Sequence, residues 1–161
     1  MIWEVLKKIQ FRELWGLTIL CVKHPLYVFP TMKASKRCIA ICDELFGNTH
    51  HLNNPANAFR HAIWNVLIVS YCARKNKNIT RVLTWAKLIT DWHEDFSINL
   101  PINRAMDMHN NEIGLILAKD LFAENEQKIV EIVQKETKEA KKVTTIEEID
   151  QYKDQLVYLE P

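Results

Sequence analysis

Asn54-Pro55-Ala56-Asn57-Ala58-Phe59-Arg60-His61-Ala62-Ile63-Trp64-Asn65-Val66-Leu67-Ile68-Val69-Ser70 is the stretch on which the fold turns. A proline directly behind an asparagine is the pattern of a helix start: proline has no amide hydrogen to lose in the first turn, and the Asn side chain can accept from a free N–H. A helix should therefore begin at Pro55. Phe59, Ile63, Val66, Leu67 and Ser70 run along one side of it, and the pattern fades between Lys75 and Asn78. His61, Trp64 and Asn65 are three and four residues apart, so they project from nearly the same face.

Working outward, helical spacing recurs along the chain. Trp3, Leu6, Ile9 and Phe11, then Leu14, Leu17, Ile19 and Leu20, mark a first helical stretch with basic residues between the apolar ones. Pro25 and Pro30 read as the ends of a short extended link. From Thr31 the positions Ala34, Cys38, Ile41, Cys42 and Leu45 predict a helix of about 15 residues that stops at Gly47 in a left-handed conformation. Asn48 to Asn54 is a polar loop. Asn78 or Thr80 can cap a helix carrying Val82, Leu83, Trp85, Ala86, Ile89, Trp92 and His93. Ser97 to Asn103 reads as a linker, with Asn103 capping a helix striped by Met106, Asn110, Ile113, Leu117 and Leu121. Glu124 to Lys142 is charged, with Ile129, Ile132 and Val133 as its seam. Thr145 with Glu148 forms a capping-box pattern for a short last helix.

Only 3 glycines and 5 prolines occur in 161 residues, which argues against sandwiches, barrels and Gly-rich nucleotide loops. The expectation is an all-α fold: a single compact domain of about six to seven helices over residues 1–161, with charged C-terminal helices at 124–161. The length suffices for one substantial core.

The net charge of +1 conceals an asymmetry, because residues 1–90 hold 13 Lys/Arg against 4 Asp/Glu and residues 91–161 hold 8 against 16. A total near zero therefore does not exclude a local anion site. The cysteines, Cys21, Cys38, Cys42 and Cys72, include no CxxC pair and read as free, buried thiols. Leu14 to Val22 is too short for a membrane span and is followed by Lys23-His24-Pro25 rather than a small-residue cleavage site. The expected location is the cytoplasm at synthesis, a reading compatible with export by a specialised secretion machine.

Three stretches concentrate polar groups where a core helix should be apolar. In the first, Trp64 can floor a pocket and Asn65 can orient His61, while Arg60, about 100° away, can meet a substrate anion or Asp107. In the second, His93 and Glu94 are adjacent, so one helix can aim both only at the edges of a shared cleft. Ser97 stands where an HExxH motif needs its second histidine, so zinc by that route is excluded. A divalent metal held from separate helices, by His61, His93 or Glu94, and Asp107, is compatible with a helical bundle. Alternatively Glu94 fixes one tautomer of an imidazole that acts as general base. In the third, Asp107, Asn110, Asn111 and Gly114 form one stripe. Asp and Asn are poor helix formers, so this stripe points to buried hydrogen bonding or ligand contact. Gly114 costs about 0.5–1 kcal/mol relative to Ala, which a close helix crossing or ligand approach should offset.

The order Arg60-His61-Ala62-Ile63-Trp64, His93-Glu94 and Asp107-Met108-His109-Asn110-Asn111-Glu112-Ile113-Gly114 resembles a poorly characterised bacterial family with an RHxxW, HE, DxxNNxxG signature. The resemblance covers about residues 24–120. Members occur as small stand-alone proteins and at the C-terminus of secreted, toxin-like polypeptides. It implies a mostly helical hydrolase-like domain in which His61, Glu94, Asp107, Asn110 and Asn111 fall on signature positions.

The residues suggest a small hydrolase with His61, Glu94 and Asp107 as catalytic groups and Arg60, Trp64, Asn110 and Asn111 binding substrate. A phosphate-containing substrate suits the basic first half. Phospholipid is preferred to nucleic acid, because the five tryptophans and the amphipathic N-terminal stretch suit a membrane interface. The other class is a non-catalytic binding module, such as an immunity or adaptor protein, with the polar cluster as a buried network. A cognate immunity or delivery protein is a further candidate partner.

Overall fold

The computed structural model describes residues 11–96 and 99–160. Its seven helices are α1 (Phe11–Lys23), α2 (Pro25–Phe46), α3 (Pro55–Ala73), α4 (Ile79–Phe96), α5 (Pro101–Leu121), α6 (Glu126–Lys138) and the one-turn α7 (Ile146–Ile149). A 3₁₀ turn, Gly47–His51, joins α2 to α3, and two short strands, β1 (Lys141–Lys142) and β2 (Val157–Tyr158), pair in parallel. The domain is all-α. Trp3, Leu6 and Ile9 of the expected first helix lie outside the described residues.

The α3 helix begins where the Asn54-Pro55 pair places it: the Asn54 side chain accepts from the Asn57 amide at 3.2 Å. It is buried on nearly every side, including Phe59, Ile63, Val66, Leu67 and Ile68. A helix apolar all round must be surrounded, and α2, α4, α5 and α6 pack around it. Most side chains on α3 are thereby positioned by neighbours, His61 and Asn65 among them, which is what a site built on it requires.

Three readings of the chain are corrected. Pro25 and Pro30 bracket no extended link. Pro25 is the first residue of α2, and Pro30 is accommodated inside the same helix. The hydrogen bond that Pro30 cannot donate belongs to the opening turns, and burial of Tyr27, Pro30, Thr31, Ala34, Cys38, Ile41 and Cys42 in one stripe offsets its loss. The α5 helix starts at Pro101, with Leu100 at its cap position, so Asn103 lies within the helix and does not cap it. The stretch 124–161 is not helical throughout, because after α6 it becomes β1, α7 and β2.

Other local signals hold. Gly47 has a positive φ of 56°; Asn78 accepts from the Arg81 amide; and Thr145 accepts from the Glu148 amide while the Glu148 carboxylate reaches back to Thr144. All four cysteines are free, three of them buried and Cys21 partly so.

The C-terminal segment is pinned by Asn110. Its side-chain amide donates to the Val157 carbonyl at 2.9 Å and its oxygen accepts from the Val157 amide at 3.0 Å. One side chain thus acts as a strand partner to β2, over a small core of Met106, Val143, Ile149 and Val157. Asn110→Ala leaves two buried backbone groups unpaired, so a loss of about 2 kcal/mol or more is expected. Urea midpoints measure that cost, and faster tryptic cleavage at Lys153 would locate it in this segment.

Candidate functional site

Helices α3, α4 and α5 each send polar side chains to one buried place. His61 comes from α3, Glu94 from α4, and Asp107 and Asn111 from successive turns of α5. All four are buried to 5% exposure or less. Close approach of α3 and α5 makes this convergence possible. A Cβ on Gly114 would sit 2.6 Å from the Ala62 carbonyl oxygen and 2.8 Å from its Cα. Helix crossing, and not ligand approach, is therefore what offsets the helix-weakening glycine.

The hydrogen bonds fix the imidazole's tautomer. The Asn111 amide nitrogen donates to Glu94 Oε1 at 3.1 Å, which turns Asn111 Oδ1 toward α3. There Oδ1 accepts from Asn65 at 2.9 Å and lies 3.1 Å from His61 Nδ1. Nδ1 must then carry the hydrogen. Glu94 Oε1 lies 3.6 Å from the same nitrogen. The Thr90 hydroxyl lies 3.4 Å from Asn65 Oδ1, with the Ala86 carbonyl of its own helix as the nearer acceptor at 3.0 Å.

With the hydrogen on Nδ1, His61 Nε2 presents a lone pair. Arg60, which has only donors, meets it at 3.0 Å, and its other terminal nitrogen lies 3.3 Å from His51 Nδ1. Asp107 Oδ1 faces Nε2 at 3.2 Å. Among the described residues this carboxylate oxygen is buried without a hydrogen-bond donor, while Oδ2 accepts from Asn99 at 3.4 Å. Burial, reinforced by the positive charge of Arg60, holds His61 well below the usual histidine range. Burial, with the Glu94 charge beside it, pushes Asp107 up to about 7. Burial also raises Glu94, against the pull of its Asn111 hydrogen bond.

This arrangement costs stability at every pH above about 4, increasingly up to about 7. A carboxyl raised in the folded state retains a proton that the unfolded chain has released. Its destabilising effect is absent below about pH 4, grows as pH rises and is complete above about pH 7. Asp107→Asn should accordingly stabilise the protein at pH 8 by on the order of 3 kcal/mol, with the gain fading toward pH 4. Urea midpoints at pH 8 and pH 5 check it, and a gain equal at both values would contradict it.

A pocket of about 220 Å³ opens onto the cluster, lined by Ser35, Cys38, Ile39, Arg60, His61, Trp64 and His93. Trp64 forms a wall, its indole N–H donating to Ser35 Oγ at 2.9 Å. His93 packs edge-on against Trp64, with ring centroids 5.2 Å apart. A larger hollow of about 450 Å³ at the α1–α2 junction is lined by Lys23, His24 and Arg81 among others and contains no carboxylate.

The structure brings together His61, Glu94, Asp107 and Asn111, with Arg60 and Trp64 at the pocket. Asn110 goes elsewhere, and His93 lines the pocket without joining the carboxylates. Asn110, read as substrate-binding, has both amide atoms engaged by Val157. His93, read as a metal ligand, lies outside the His61, Glu94 and Asp107 group, whose ligand atoms fall within 4.8 Å of one another. Adjacent residues diverge by about 100° on a helix, so α4 can aim only one of its pair inward, and it aims Glu94. Thr90 and His51 join the site unforeseen. Thr90 carries no signal that separates it from the rest of its helix, and His51 reaches Arg60 only through the fold.

Residues 18–141 match the model of a family described as a domain of unknown function (DUF6973), and the chain belongs to that family. No curated protein and no solved structure matches it.

Proposed function

We propose that this DUF6973 member is a hydrolase of phosphoesters that acts on phospholipid at a membrane surface. One observation carries the chemistry: a tautomer-locked imidazole lone pair on His61, flanked by Arg60 and Asp107, at the floor of an open pocket. The His61 cluster accepts a proton from water, whose oxygen bonds to phosphorus as the ester P–O bond breaks and the departing alkoxide takes up a proton. Asn111, backed by Glu94, holds the ring so that Nε2 faces the water. Arg60 neutralises the phosphate and the charge that develops on it. Trp64, Ile39 and Cys38 give the pocket apolar walls.

The outer surface of α1 and α2 supports lipid over nucleic acid. Val22, Leu26, Phe29 and Met32 are each more than half exposed. The series Leu26, Phe29, Lys36, Ile39 runs at helical spacing along α2 to the pocket mouth, where Ser35 and Ile39 line the wall. Between Leu14 and Cys42 there are four Lys/Arg and no Asp or Glu. Apolar side chains interleaved with cations suit an anionic bilayer surface, each cation near it adding about 1 kcal/mol of attraction.

The experiment compares phosphatidylglycerol vesicles with soluble bis(p-nitrophenyl) phosphate. Both should be hydrolysed, and Phe29→Asp with Met32→Asp should depress vesicle hydrolysis at least tenfold while sparing the soluble ester. Cleavage of neither substrate overturns the hydrolase. Cleavage of single-stranded DNA or RNA with no action on vesicles overturns the lipid assignment.

A further inference from the structure

The cluster contains an electrostatic deficit that the described residues do not fill. Glu94 and Asp107 are both buried, and no Lys or Arg among the described residues lies within ion-pairing distance of either. The neighbouring cation, Arg60, is engaged by His51 and His61 Nε2. Two buried carboxylates without a contacting cation are costly unless a positive charge arrives from outside.

The second observation concerns direction. Asp107 Oδ1, on a side chain about nineteen-twentieths buried, has no hydrogen-bond donor among the described residues and points at His61 Nε2. Because Nδ1 carries the hydrogen, Nε2 and Asp107 Oδ1 meet as two acceptors 3.2 Å apart, and the Arg60 guanidinium is the donor at Nε2 that an arriving cation would displace. A metal ion with bonds of about 2.0–2.2 Å to nitrogen and oxygen spans that separation. One ligand atom each from His61, Glu94 and Asp107 already lies within 4.8 Å of the others.

We infer that His61, Glu94 and Asp107 bind one divalent first-row transition cation, with His61 supplying Nε2. One imidazole and two carboxylates suit zinc or manganese better than a softer, thiolate-seeking ion. Asn111 then has the supporting role common beside metal-ligating histidines, accepting the other ring N–H while donating to the ligating Glu94. Three protein ligands leave a coordination position for water, and the cation lowers that water's pKa toward neutrality. The inference rests on the hydrolase reading and revises one role in it: with Nε2 bonded to the cation, water is activated by the cation and not by the imidazole, and Arg60, displaced from Nε2, is free for the phosphate.

The test uses the full chain, stripped with EDTA and titrated calorimetrically with MnCl₂ and with ZnCl₂. One ion per chain is expected, together with a rise of several degrees in Tm. Glu94→Gln and Asp107→Asn each remove a buried charge and should fold at least as stably as the metal-free parent. Each should lose tenfold or more in affinity, whereas Glu112→Gln, at an exposed ion pair with Lys87, should bind as the parent does. Absence of saturable binding, or binding that survives in both cluster variants, overturns the site. Saturable binding by a chain that hydrolyses no phosphoester sustains the cation site and removes the hydrolase. Hydrolysis that persists in EDTA without binding does the reverse.

Discussion

His61→Ala is expected to lower phosphoester turnover by about a thousandfold or more, the range in which positioned acid–base groups act, and to leave the protein folded. His61 makes four polar contacts through its ring, but removal of the ring strands few of the partners. Asn111 Oδ1 still accepts from Asn65, and the Asn111 amide still donates to Glu94. Arg60 keeps His51 and gains the pocket's water. The loss of stability should therefore stay near 1–2 kcal/mol. The alternative class, a binding module whose polar cluster is a buried network, makes the opposite prediction: lost stability with no turnover to lose. Turnover on the soluble ester and urea midpoints of one preparation separate the two, and an active His61→Ala protein would remove His61 from the chemistry.

The sequence reveals this site unevenly, for reasons that are local in some places and long-range in others. Pro55, Asn54 and the apolar run of α3 announced the central helix because capping and burial are both encoded within a few residues. The pairing of basic-half His61 and Arg60 with acidic-half Glu94 and Asp107 was legible because polar residues on otherwise apolar helices demand partners. The roles of Asn110 and Asn111 were not separable. Both lie on one side of α5, yet one ring position further round turns Asn110 toward a strand nearly fifty residues away. Nothing near Asn110 encodes that strand. Pro30 was misread because a proline's local rule, to interrupt, lost to the tertiary burial of the stripe in which it sits. The choice between His93 and Glu94 was likewise unresolved, since it depends on the rotation of α4 against α3.

Gly114→Ala is expected to be the most disruptive of the added methyl groups at the three glycines, and it tests whether the fold and the site are one construction. The added Cβ would meet the Ala62 carbonyl oxygen at 2.6 Å, Ala62 Cα at 2.8 Å and Asn65 Cβ at 3.0 Å. Two of these are backbone atoms in a helix packed on every side, so no side-chain rotation relieves them. The helix must move instead. Intrinsic propensity alone would make the variant more stable by about 0.5–1 kcal/mol, whereas overpacking of a rigid crossing costs typically 1–3 kcal/mol and here should fall at or above the upper end. Separation of α3 from α5 also lengthens the His61–Asn111 and Asn65–Asn111 hydrogen bonds, now 3.1 and 2.9 Å. The tautomer lock and the His61–Asp107 approach depend on the same crossing, so turnover should fall at temperatures where the variant is still folded, with kcat affected more than KM. Urea midpoints and soluble-ester kinetics at 15 °C measure the two effects. A Gly114→Ala protein as stable and as active as the parent would mean that the helices cross more loosely than 2.6 Å implies.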